Sequence, residues 1–282
     1  MRILCATDLS SRSDRAMRRA GRLAAAHRAT LTLLSVVDDD QPAALVESER
    51  RQVATLLAEL AAGMAELKPL SPRIVVEPGD AFDAIIRFAE SDGSDLVVMG
   101  EHRRRLLRDI VVGTTVERVM RLGRRPVLMA TAPAERPYAR VLAAIDLAEQ
   151  GAPALKAARR LGLLEGASLT LFHAFTPLAA GALVVGDAGR REIGRHVAAE
   201  AERARRGLAQ LAEAEGLDGC DILVQEGPVG EAFTTAVAAT LPDLVVMGTR
   251  AHGALGRLML GSLAEQALAS LTCDVLVVPP GL

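Results

Sequence analysis

The chain has 282 residues, twice a common single-domain length, so two domains are expected before any motif is read. Half of it is hydrophobic, with no Trp, one Tyr and five Phe, which excludes an aromatic stacking platform for single-stranded nucleic acid. The net charge of −2, with arginines interspersed among acids, gives no field for DNA or an anionic membrane.

The first apolar run, 3–7, closes on Asp8 and is followed by a helix-period segment, Ser13–His27. Further runs follow at 30–37, 74–77, 96–100 and 127–130, with longer amphipathic stretches between them. Residues 131–138, rich in Pro and Ala, read as a short linker. A second series then begins: runs at 141–145, 168–174, 222–225, 244–248 and 275–278, with a helical stretch at 196–215.

The two series are copies. Asp-Leu-Val-Val-Met-Gly stands at 95–100 and again at 243–248, an offset of 148. Gly79 and Gly227, Gly113-Thr114 and Gly261-Ser262, and Val127 and Val275 keep that offset. Asp8 with Asp146, and Leu31-Thr32-Leu33 with Leu169-Thr170-Leu171, are offset by 138. The second copy therefore carries ten extra residues between its second and third strands, near 175–200. Runs that are apolar throughout suit strands covered on both faces, and their alternation with helices predicts a doubly wound parallel sheet in each copy. The expected domains are 1–135 and 136–282.

No cysteine pair has ligand or disulfide-framework spacing, so Cys5, Cys220 and Cys273 read as free structural thiols. The N-terminal apolar run is too short for a signal peptide, and no stretch approaches the ~20 apolar residues of a spanning helix. A cytoplasmic protein without membrane contact is expected.

In such folds ligands sit beyond the carboxyl ends of the strands. Asp8 and Asp146 end the first strand of each copy; each is either the N-cap of the next helix or a ligand contact. After the fourth strand, Gly248 leads through a loop to Gly261-Ser262, where Ser262 with Glu265 reads as a capping box, repeated by Thr114 with Glu117. The same helix start, with free N–H groups beside a glycine and a hydroxyl, is equally suited to a phosphate. His173 and His252 are the one histidine pair expected near this site. The apolar stretch 177–186 within the insertion reads as core packing, with a lid or a subunit contact as alternatives. No P-loop, no first-strand Gly-x-Gly-x-x-Gly and no Gly-x-Ser-x-Gly elbow occurs.

The full spacing is more specific. Gly248, two residues, Ala251, nine residues, then Gly261-Ser262 resembles the ATP-binding signature of the universal stress protein family, with Ala251 where the second glycine would stand. Asp146, Leu171-Phe172-His173-Ala174, Val-Met-Gly before the loop and a closing Val-Leu-Val-Val fit the same family, and the likeness spans essentially the whole chain as a tandem pair. It implies a five-stranded sheet of order 3-2-1-4-5 in each copy, with adenine near Asp146 and the Ala174 backbone. Phosphates would lie over Gly248–Ser262, and the implied nucleotide contacts there are Met247, Gly248, Arg250, Ala251, Gly261, Ser262 and Leu263. The corresponding first-copy residues are Asp8, Val36, Gly100, Arg103, Gly113 and Thr114, and Arg103 in the glycine position marks a degenerate site.

The implied function is a stress-response protein that binds ATP, ADP or AMP, with or without Mg, mainly in its second copy and with slow hydrolysis at most. The alternatives are an ATP-dependent enzyme of the adenine-nucleotide α-hydrolase-like group, which would need a Ser-Gly-Gly loop where Asp8-Leu-Ser-Ser-Arg stands, and a non-binding scaffold. The fifth strands would be apolar edges, which suggests an intramolecular pseudo-dimer, with a homodimer as a further association.

Overall fold

A computed structural model of the chain describes residues 1–101, 114–148, 153–176, 186–252 and 257–280; side chains are described for these except at 186–193, 250–252 and 257–259. The first half is β1 (Arg2–Ala6), α1 (Ser13–His27), β2 (Thr30–Val37), α2 (Ala43–Gly63), β3 (Arg73–Pro78), α3 (Ala81–Ser91), β4 (Leu96–Gly100), α4 (Thr115–Leu122) and β5 (Val127–Ala130). The second half is β6 (Arg140–Ala144), α5 (Pro153–Arg160), β7 (Ser168–Phe175), α6 (Gly186–Ala214), β8 (Asp221–Glu226), α7 (Val229–Thr240), β9 (Leu244–Gly248), β10 (Arg250–His252), β11 (Arg257–Met259), α8 (Ser262–Ser270) and β12 (Asp274–Val278). Every expected run is a strand, within a residue or two of its expected ends. The β10–β11 hairpin in the second loop was not expected. No described helix is long and apolar enough to cross a membrane.

Ten strands form one sheet in the order β3-β2-β1-β4-β5-β12-β9-β6-β7-β8. Each half is thus parallel and ordered 3-2-1-4-5, and the halves join where β5 and β12 run antiparallel. Leu128 faces Leu276 in that pair, with Val127 opposite Val277 and Met129 opposite Val275. Since Leu128 and Leu276 are repeat equivalents, the seam is self-complementary about them. Pairing consumes two apolar edges that would otherwise stand open.

Both faces of the sheet are covered, which explains strands without a polar side. Ile3 and Cys5 point into one core with α1, α2, α5 and α6; Leu4 and Ala6 point into the other with α3, α4, α7 and α8. Each core runs across both halves. Most of the ten-residue insertion lies in the longer helix: α6 has 29 residues where α2 has 21. The apolar stretch at 177–185 lies outside the described residues.

The repeated aspartate that opens the hexapeptide has a structural role. Asp95 accepts the Arg2 N–H at 2.8 Å, and Asp243 accepts the N–H groups of Ala139 and Arg140 at 2.9 to 3.1 Å. In each half it ties the start of the fourth strand to the start of the first.

The segment 131–138 is no passive linker. Asp274, fully buried at the start of β12, accepts hydrogen bonds from the Thr131 and Ala132 N–H groups, the Tyr138 hydroxyl at 2.7 Å and Arg19 Nε at 2.8 Å. The Arg19 guanidinium also lies over the Tyr138 ring, 4.4 Å from its centre, and donates to the Arg136 carbonyl. One carboxylate from the second half thus gathers α1 and the connecting segment of the first. Burial, with the Asp274 charge beside it, pushes the Tyr138 hydroxyl well above its ordinary pKa, so it remains a donor.

Candidate functional site

In each half the crossovers change face between the first strand and the fourth. The helix after β1 lies on one side of the sheet and the helix after β4 on the other, so a crevice opens at their carboxyl ends. The second-half crevice, of about 130 Å³, is lined by Ala144, Ile145, Asp146, Phe172, His173, Ala174, Val229, Met247, Gly248, Gly261, Ser262, Leu263 and Ala264. Seven of the nine residues expected there therefore share one cleft. The other two, Arg250 and Ala251, lie on the backbone of β10, directly after it.

The Asp146 carboxylate accepts the Ala148 N–H at 3.0 Å in a tight local turn. His173 Nδ1 donates to the Ile145 carbonyl at 2.9 Å, which fixes its tautomer and ties β7 to the loop carrying Asp146. The side chain of His252 is outside the described set, so the expected histidine pair is not described. Ile145, Phe172, His173 and Val229 extend the expected lining. The same strand-end rule, applied to the apolar residues around each acid and to the residue after Gly227-Pro228, could have found them.

The first-half crevice, about 190 Å³, is built from equivalent positions: Ala6, Thr7, Asp8, Leu34, Val36, Ala81, Met99, Gly100, Thr115 and Val116, with Ser13, Ile85 and Glu101 added. Asp8 is not the cap of α1, whose N-cap is Arg12. Its Oδ1 accepts from the Ser10 N–H and the Ser13 hydroxyl at 3.0 and 2.9 Å. Burial raises the Asp8 carboxyl, but the hydrogen bonds from Ser10 and Ser13 outweigh it and hold it below the usual carboxylate value. Gly100 is required by packing: a Cβ there would stand 3.0 Å from the Arg12 carbonyl oxygen and 3.1 Å from Ser13 Cα. Glu101, where the second half has Thr249, pairs with Arg15 at 3.2 Å. Arg103 and Gly113 lie outside the described residues.

The clearest difference lies at the helix that closes each cleft. Thr114 caps α4 in a reciprocal box: its hydroxyl accepts the Glu117 N–H at 3.2 Å, and Glu117 accepts the Thr114 N–H at 2.9 Å. Thr114 is thereby turned away and does not line the first cleft. The matching box expected at Ser262 does not form. Gly261 is the N-cap of α8, with extended backbone (φ −65°, ψ 154°) and no side-chain cap, so Ser262 is already the first helical residue and lines the cleft. Among the described residues no side chain caps the start of α8, whereas in α4 the N–H groups of Thr114 and Glu117 are met by the box. Thr114→Ala should lower stability by about 1 kcal/mol, whereas Ser262→Ala should change it by less than about 0.5 kcal/mol. Urea unfolding of the two variants checks the pair.

Burial pushes both Cys5 and Cys273 up to about 12, with Asp274 adding to the shift at Cys273, which keeps these two thiols protonated near neutral pH.

A doubly wound sheet with a cleft at its switch point defines a class of α/β domain in which that cleft is the expected place for a ligand. The universal stress protein family pattern matches residues 1–131 and 137–279, and the chain belongs to that family, in tandem two-domain form. A universal stress protein of Thermus aquaticus is 31% identical over 140 residues, which is 49% of this chain and 96% of that protein. The crystal structure of a universal stress protein from Archaeoglobus fulgidus shares the fold with a TM-score of 0.71 at 19% identity, over 99% of this chain and 96% of its own. A Pseudomonas aeruginosa protein of unknown function gives 0.66 at 20% identity, over 99% and 92%.

Proposed function

We propose that the second-half cleft holds an adenine nucleotide, ATP, ADP or AMP, as part of a stress response, without significant turnover. The observation that carries this reading is the start of α8, which no described side chain caps, with Ser262 lining the same cleft as Asp146. N–H groups at a helix start, beside a hydroxyl and a glycine whose absent side chain leaves open space, suit phosphate oxygens. A carboxylate at the end of the first strand, next to the apolar wall of Phe172, Ala174 and Val229, suits the donors of a ribose or a base.

Asp146 is the one carboxylate among the described lining residues, so Mg would enter with the phosphates of the nucleotide and not through a protein ligand set. Among the described lining residues Asp146 and His173 are the titratable groups, and the reading takes the cleft as a binding site and not a catalytic one. Within this reading the chain is two domains, 1–135 and 136–282, associated as an intramolecular pseudo-dimer through β5 and β12, with the nucleotide mainly in the second.

ATP at ~100 times its dissociation constant should stabilise the protein by about 2.7 kcal/mol, seen as a melting shift of several degrees. A melting curve unmoved by ATP, ADP or AMP, with and without Mg, backed by flat calorimetry, would overturn the reading in favour of a scaffold. Hydrolysis at about 1–1,000 per second would overturn its non-catalytic part.

A further inference from the structure

The hairpin that follows the second cleft reaches across the seam. Its strands pair antiparallel, Arg250 with Met259, Ala251 with Leu258 and His252 with Arg257, and β11 packs against α4, a helix of the first half. The strand order explains the reach. Val127, at the start of β5, lies opposite Val277, and Val278 pairs with Gly248, so β5 begins where the second cleft opens. α4 ends at Leu122, shortly before that point, whereas its first residues, Thr115 and Val116, line the first cleft. Eight residues of helix, about 12 Å, thus run from one cleft to the edge of the other.

A pair of three-residue strands is too short to hold its own shape, so the hairpin depends on what backs it. The flanks of α4 show where that backing lies. Arg118 sits over the Phe82 ring of α3, and a Cβ at Gly123 would stand 3.6 Å from Ile86, so one flank belongs to α3. Val116, Val119 and Met120 are buried toward the sheet. At about 100° per residue, Met120 borders the flank opposite α3, the one toward the seam. Leu260, directly after β11, is 6% exposed and belongs to the same core as Met120. The residue after it, Gly261, is the N-cap of α8.

We propose that the first half is a working part of the second-half site: α4, through Met120, is the platform that positions the β10–β11 hairpin at the mouth of the second cleft. Met120 is a positioning residue and touches no ligand. Hairpin, Leu260 and Gly261 are consecutive, so the platform also places the start of α8. Ligand affinity in the second cleft then depends on a helix whose other end lines the first. That the ligand is a nucleotide rests on the reading of the second half given above; the support of the hairpin does not.

The test uses the full chain, first without any nucleotide, by hydrogen exchange, and then with ATP, by isothermal titration. Met120→Ala should speed exchange of the backbone amides at 249–261 about tenfold. Leu57→Ala, an equally buried truncation in α2 on the opposite face of the sheet, should leave those amides unchanged. Met120→Leu, which keeps the volume, should restore the parent pattern. Met120→Val, a smaller truncation that spares the fold, should give about a threefold effect in the same direction. ATP affinity should follow the hairpin: about tenfold weaker in Met120→Ala and unchanged in Leu57→Ala and Met120→Leu.

Hairpin amides that ignore both Met120→Ala and Met120→Val, or that respond equally to Leu57→Ala, would overturn the proposal, since Met120 would then be ordinary core. Faster hairpin exchange with unchanged ATP affinity would overturn it too, because the hairpin would be no part of the site. Failure of the nucleotide reading looks different: the parent protein ignores ATP, while its hairpin still loosens with Met120→Ala and not with Leu57→Ala.

Discussion

Asp274→Ala is expected to lower the unfolding free energy by about 3–5 kcal/mol, the largest stability loss of any single polar substitution considered for this chain. The carboxylate is fully buried and accepts four hydrogen bonds: two from backbone N–H groups, one from the Tyr138 hydroxyl and one from Arg19. Removing it leaves the Arg19 cation, itself only 4% exposed, without a counter-charge in a low-dielectric seam. Tyr138→Phe removes one charge-assisted bond and should cost about 1.5–3 kcal/mol. Arg19→Met removes the other charge and leaves a carboxylate with three remaining donors, so Asp274→Ala combined with Arg19→Met should recover part of the loss. Urea unfolding of the single and double variants yields the coupling energy. A loss under about 1 kcal/mol for Asp274→Ala would show that water reaches the seam and that the β5–β12 pairing and the shared cores hold the halves without it.

This network also marks where the sequence fell silent. The strands, their order and the repeat were legible because apolar runs and a hexapeptide recurring at offset 148 are local, additive signals. Asp274 was not legible: its equivalent in the first half is Pro126, and the equivalent of Arg19 is Ala157, so no repetition flags the group. Its partners are 255 and 136 residues away, a distance no periodicity spans. The cleft residues followed from the strand-end rule, because topology alone brings Asp146, Ala174, Gly248 and Gly261 to one edge. Of the two expected helix caps, the Thr114–Glu117 box formed and the Ser262–Glu265 box did not. Thr114-Thr-Val-Glu and Ser262-Leu-Ala-Glu have the same capping pattern, and only backbone geometry separates a residue outside the helix from one inside it. A one-residue shift of the helix start moves the hydroxyl from a cap that accepts the N3 N–H into the first turn of the helix.

That shift sets the second expected result. Gly261→Glu should weaken ATP binding at least a hundredfold, equivalent to about 2.7 kcal/mol, while Gly113→Glu leaves it almost unchanged. The physical reason is specific to position 261. An added Cβ meets nothing within 4 Å, and the backbone at φ −65° tolerates any residue, so the substitution should not disturb the fold. Its carboxylate would stand at the N-cap of α8, accepting the N–H groups proposed for phosphate and placing like charge beside them. The negative charge of a glutamate there is favourable to the helix dipole, so lost binding with a nearly unchanged melting temperature separates a blocked site from a damaged protein. At the first cleft the Thr114–Glu117 box already occupies the helix end, so a further acid at 113 removes nothing that ATP uses. Ala251→Gly should tighten ATP binding modestly, by the removal of one methyl from the loop, and Arg103→Gly should add a weaker second site at most. Equilibrium titration of these four variants against the parent decides the assignment: two equal ATP sites in the parent, or binding lost with Gly113→Glu and kept with Gly261→Glu, would reverse it.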